Sequence, residues 1–246
     1  MSESSLIREN LDDGVVRLIL NRAPVNALSA EFLMTFAKIL DDLEKEPGVK
    51  AVIISSAFKV FSAGLDLKEA QQFDLAAQTA IVEGLNVGFL TQFSFPKPLV
   101  VAIDGAAIAG GLFFILGGDY RIATARAQFG LAEVRVGADF PIAPLEIARA
   151  TLDPNELRRL MLTGMPIKAE AAHARGIVDE LVAADDLMAC AMRAARQLAS
   201  HPPNTFASVK SQIRGPAIAT IKTGMETPVK GWFNEETIAA MQRMFG

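Results

Sequence analysis

The runs "AVII" (51–54) and "LVVAI" (99–103) are apolar at every position, without the alternation of a strand that has one wet face. Each reads as a buried strand. The segment after each run is more unusual. "FSAGLDL" (61–67) and "AIAGGLFF" (107–114) place Ala and Gly directly between a buried strand and a helix. Small side chains there let a ligand approach the backbone, and a helix start leaves N–H groups without intrahelical partners. Two such groups converging on one point would make an oxyanion hole; the same glycines also relieve crowding where a helix leaves a strand. Neither corner runs on into Lys-Ser/Thr and no G-x-G-x-x-G occurs, so both common phosphate-binding fingerprints are missing.

Around these corners the pattern alternates. "VVRLILNR" reads as a first strand. "LSAEFLMTFAKILDDLEKEPG" then reads as an amphipathic helix capped by Ser29, with Phe32, Phe36, Ile39 and Leu43 on one face and Pro47–Gly48 as its stop. A short helix is expected from about Asp66 and a longer one from about Asp74 to Gln92. "DYRIATARAQFGLAEVRVG" reads as short strands and turns, after which the chain turns helical. In "DPNELRRLMLTG", Asp153 and Pro154 signal a helix start, with Glu156 as the other half of a capping box. Past residue 190 only helices and turns are expected. The division is an α/β core over 1–190 and a helical region over 191–246.

Composition narrows the function. At 246 residues and 51% hydrophobic, the chain can bury a sizeable core, and its longest apolar runs are broken well before the 18 or so residues of a membrane span. "MSESSLIREN" lacks a signal pattern, so the cytoplasm is the expected compartment, with no membrane partner. The 24 basic and 28 acidic residues form no long run of one sign, which argues against a nucleic-acid partner. A lone Cys190 excludes an intramolecular disulfide and a multi-thiolate metal site. His173 and His201 read as surface or packing residues.

The blocks "PVNALSAEF", "FSAGLDLKE", "KPLVVAIDGAAIAGG", "DYRIAT" and "FGLAEVRVG", in this order and spacing, resemble the crotonase superfamily, the enoyl-CoA hydratase/isomerase family. The likeness covers nearly the whole chain, and the first blocks look most like mitochondrial-type Δ3,Δ2-enoyl-CoA isomerases. It implies an α/β fold built as a spiral of β-β-α units, with a C-terminal helical region that makes a homotrimer or a dimer of trimers. It implies an acyl-CoA substrate, with coenzyme A entering as part of that substrate and no separate cofactor or metal. The oxyanion donors would be the N–H groups of Leu65 and Gly110, with Gly64, Gly111, Phe113 and Asp139 among the substrate-binding residues. Ala63 and Asp66 would flank the CoA path, and Ala27 and Leu28 would line its pantetheine stretch.

Hydratases of this family use two glutamates. Here the first position is Phe113 and the second is Glu133. Adding water needs one group to activate it while another supplies a proton, whereas moving a double bond needs one base that takes a proton and returns it. One acid therefore points to isomerisation. Asp139 is the candidate second acid of a hydratase alternative, and a non-catalytic RNA-binding member is the rival from another class. Phe73, Phe89, Phe113, Phe114 and Phe140 are candidate walls for the acyl group. Lys59, Lys210 and Lys222 read as surface charge or as contacts to CoA phosphates. Trp232, Phe233, Ile238, Met241 and Met244 are more apolar than a lone terminal helix should expose, which points to an assembly surface.

Overall fold

The computed structural model describes residues 4–227 and 231–245, the last two by backbone alone. Its strands are β1 Leu6–Asn10, β2 Val15–Leu20, β3 Ala51–Ser56, β4 Leu99–Ile103, β5 Ala106–Ile108, β6 Tyr120–Thr124, β7 Gln128–Gly130, β8 Ile167–Lys168 and β9 Glu180–Val182. Six form one sheet in the order β1-β2-β3-β4-β6-β9, antiparallel only at the β1 edge. The other three form a small sheet, β5-β7-β8.

The helices are α1 Ala30–Lys45, α2 Leu67–Ala70, α3 Leu75–Ser94, α4 Leu112–Leu116, α5 Ile142–Thr151, α6 Pro154–Thr163, α7 Ala169–Ala174, α8 Leu187–Ala199, α9 Pro203–Met225 and α10 Glu235–Phe245. The uninterrupted apolar runs are explained by burial on both faces. Val52, Ile54, Val101 and Ile103 join the large core with α1, α3 and α4, while Ala51, Ile53, Val100 and Ala102 meet Cys190, Ala191 and Ala194 of α8 on the other face. Residue 190 falls inside α8, so the expected division cuts a helix that packs on the sheet.

Local signals hold where the chain itself supplies the partner. Ser29 accepts the Phe32 N–H at 3.2 Å to start α1, Asp66 accepts from Lys68 and Glu69 to start α2, and Asp74 accepts from Ala77 to start α3. The capping box of α6 is only half formed. Asp153 accepts the Asn155 N–H at 2.9 Å, but the buried Glu156 is taken by Arg175, also at 2.9 Å, because a buried carboxylate is stabilised most by a guanidinium. β1 is a strand the pattern does not announce, since Leu6 is its only buried residue.

Lys210 is not surface charge. It is buried against Asp119 at 2.6 Å, and Arg214 meets the same carboxylate at 2.8 Å while donating to the Phe93, Gly117 and Gly118 carbonyls. The pair ties α9 to the ends of α3 and α4. Lys59 and Lys222 are exposed and lie away from the lining of the main cavity.

Candidate active site

Backbone pairing brings the two corners together. Ser62 bridges to Ala107 and Leu28 to Leu65, through bonds such as Ile108 N–H to Ser62 O at 3.0 Å and Leu28 N–H to Gly64 O at 2.8 Å. Gly64 has φ +79, and a side chain there would lie 2.9 Å from both Ala109 Cβ and the Ile108 carbonyl, so only glycine lets the corners meet this closely. Ala109 itself sits at φ 51, a conformation non-glycine residues adopt mainly where the surroundings impose it. Among the described residues, neither the Leu65 nor the Gly110 N–H has a hydrogen-bond acceptor.

Both residues line a cavity of about 280 Å³, together with Leu28, Ala63, Phe113 and Glu133. Glu133 begins a short 3-10 turn after β7 and is only 8% exposed, and its Oε2 has no partner. Burial without a countercharge pushes its carboxyl up to about 8. It is the only carboxylate among the described lining residues. Phe113, 1% exposed, packs on Phe89 and Phe140.

The other expected residues divide. Ala27 and Gly64 stand behind the lining; the Ala27 carbonyl accepts from Arg22 Nη1 at 2.6 Å. Gly111 is a packing residue, because a side chain there would fall 2.5 Å from the Ser62 carbonyl. Asp66 is the α2 cap. Asp139 is exposed and outside the lining, although its neighbours Ala138 and Phe140 belong to it. Of the candidate aromatic walls, Phe113 and Phe140 line the cavity, Phe89 and Phe114 lie in the core behind it, and Phe73 lines a neighbouring cavity.

The far wall comes from the C-terminal segment. Trp232, Phe233, Thr237 and Met241 line the cavity, held by Trp232 Nε1 to the Asp139 carbonyl at 2.8 Å and Thr237 Oγ1 to the Gly137 carbonyl at 2.5 Å. The apolar side chains expected on an assembly surface are thus turned inward in the same chain. Only Ile238 of that set is exposed, and the Met244 side chain lies outside the described residues.

Asn26 was absent from the expected site and positions it. Fully buried at φ 49, it accepts the Arg22 N–H and donates to Ser56 Oγ and the Phe61 carbonyl, each at 2.8 Å, while its own carbonyl accepts from Ser62 Oγ. The signal was an Asn inside the turn of "PVNALS", a residue that tolerates left-handed backbone. Asn26→Ala leaves these groups unpaired and should lower stability by about 2–4 kcal/mol, read as an earlier urea midpoint with unchanged slope.

Two unpaired backbone donors and a lone buried carboxyl thus line one cavity. The chain belongs to the enoyl-CoA hydratase/isomerase family, whose sequence profile matches residues 10–235, and it has the crotonase fold. A probable enoyl-CoA hydratase of Mycobacterium tuberculosis is 31% identical over 211 residues, 82% of this chain and 77% of that one. The carnitinyl-CoA dehydratase of Shigella flexneri is 29% identical over 215 residues, 87% of this chain and 81% of that one. The crystal structure of human mitochondrial delta3-delta2-enoyl-CoA isomerase superposes with a TM-score of 0.87 at 26% identity, covering 98% of this chain and 96% of that one. Among the described residues, no helix is long and apolar enough to cross a membrane.

Proposed function

We propose that this enzyme isomerises 3-enoyl-CoA to trans-2-enoyl-CoA. The observation that carries the reading is that Glu133, its Oε2 without a partner, is the one carboxylate among the described residues of a mostly apolar lining that also holds Phe113, Arg135 and Thr237. Glu133 takes a proton from C2, the electron pair moves into a dienolate, and the N–H groups of Leu65 and Gly110 hold the negative oxygen. The same proton is returned at C4, so the double bond ends at C2–C3 and nothing else is consumed. Coenzyme A is part of the substrate, and the chemistry calls for no metal or redox group. Fixed donors in a dry site are commonly worth roughly 100- to 1,000-fold each.

Hydration is the second reading, favoured by the names of the bacterial relatives. It needs a second proton-handling group, and the exposed Asp139 is poorly placed to provide one. The RNA-binding alternative is disfavoured by the net charge of −4. The discriminating substitution is Phe113→Glu, which restores the two-glutamate pattern. Wild type should convert 3-enoyl-CoA to the conjugated product far faster than it hydrates 2-enoyl-CoA, and folded Phe113→Glu should move that ratio toward hydration. An unchanged ratio in the variant would mean that Phe113 does not decide between the two reactions.

The assembly proposed is a homotrimer or a dimer of trimers. Beyond the family resemblance, Val209 and Ile213 of α9 stand 47% and 73% exposed, and with Leu198 and Phe206 they give an apolar rim to a groove that also holds Asp119, Arg121, Lys210 and Arg214, a surface suited to a second copy. Light scattering at micromolar concentration should report at least three chains; a monomer would contradict it.

A further inference from the structure

The segment that covers the cavity is seated by a side chain that no chemical step uses. Gln78 of α3 accepts the backbone N–H groups of both Trp232 and Phe233 on its Oε1, each at 3.0 Å. Its Nε2 donates to the Phe73 carbonyl at 3.2 Å, which fixes the plane of the amide. Gly231 enters the contact at φ +102, and a side chain there would come within 3.2 Å of Leu75 Cδ1 and 3.5 Å of Gln78 Oε1. Glycine thus lets the backbone lie flat on the first turns of α3. Phe233 stacks between Phe73 and Trp232, yet a second cavity of about 180 Å³, lined in part by Phe73, Gln78, Phe233 and Ile238, adjoins it. Packing alone leaves the aromatic pair room to shift. The two N–H bonds seat its backbone, alongside the Trp232 Nε1 bond to the Asp139 carbonyl that anchors the indole.

We propose that Gln78 is a positioning residue of the acyl site, holding Trp232 and Phe233 over the bound acyl group and slowing its escape. This rests on the cavity being the acyl-CoA site. Trp232 is the only tryptophan in the chain, so its seating has its own spectroscopic signature.

The test compares wild type, Gln78→Met, which keeps the length and loses the acceptor, and Gln78→Glu, which keeps the acceptor. Tryptophan emission is recorded without ligand, and release of the unreactive octanoyl-CoA is followed by stopped flow. Gln78→Met should shift the ligand-free emission to the red and speed octanoyl-CoA release roughly 10-fold, the size expected for two ordinary hydrogen bonds. Gln78→Glu should restore both toward wild type. Should Gln78→Met not fold, Gly231→Ala strains the same seat from the other side and carries the same expectation. Wild-type emission and wild-type release in a folded Gln78→Met protein would overturn the proposal. Failure of wild type to bind octanoyl-CoA would overturn it as well, by removing the acyl site, and the ligand-free emission tells the two failures apart.

Discussion

Glu133→Gln should cut turnover roughly 100- to 10,000-fold while leaving acyl-CoA affinity within a few-fold, because it removes the proposed base and keeps both proposed oxyanion donors. The same carboxyl predicts a pH dependence. With its value raised from 4.5 to about 8, only the fraction that has lost its proton can act as base, so kcat/KM of wild type should climb with pH and level off above about 8. Stability should move the other way. Between those two values the folded protein holds a proton that the unfolded chain has released, so stability falls as pH rises through this window and flattens above it. Glu133→Gln has no such loss. It should melt several degrees above wild type at pH 9 and by a smaller margin at pH 6, an inactive protein that is the more stable one. Equal melting temperatures at pH 9 would show that Glu133 is not a buried, unpaired acid.

Gly110→Val should lower acyl-CoA turnover by at least about 100-fold in a protein that still folds. The added Cβ would come 2.6 Å from Leu28 Cδ1, the far end of a flexible side chain, and the position lacks the positive φ that would forbid a side chain. The neighbouring position differs. At Gly111 the obstacle is the Ser62 backbone at 2.5 Å, so Gly111→Val should cost stability first. Circular dichroism and turnover measured on both variants separate the effects. A folded Gly110→Val enzyme with normal turnover would remove this corner from the mechanism.

How much of this was legible depends on how far each feature reaches along the chain. β3 and β4 were legible because burial on both faces leaves runs with no polar position, and the helix starts at Ser29, Asp66 and Asp74 because each cap bonds within its own first turn. The corners were legible as places where Ala and Gly separate strand from helix. That they meet was not, since the Ser62–Ala107 and Leu28–Leu65 bridges join segments about 40 residues apart. Nothing in "LAEVRVG" marks Glu133 as buried; only the resemblance singled it out. The aromatic and Met residues of the C-terminal segment were legible as an apolar stripe, but not as the wall of a cavity. A stripe does not say whether it faces another chain or the same chain's cavity some hundred residues away. Glu156 escapes its capping role for a related reason, its partner Arg175 lying well beyond α6 in the chain.

Isomerisation as proposed needs one carboxylate that moves a proton without a second acid. It is tested most directly by measuring 3-enoyl-CoA isomerisation and 2-enoyl-CoA hydration side by side in wild type, Glu133→Gln and Asp139→Asn. The expected result is a wild type that isomerises at least about 100-fold faster than it hydrates, a Glu133→Gln enzyme that has lost isomerisation, and an Asp139→Asn enzyme indistinguishable from wild type. Rapid hydration by wild type that survives Glu133→Gln and disappears in Asp139→Asn would contradict both the acid and the reaction assigned to this site.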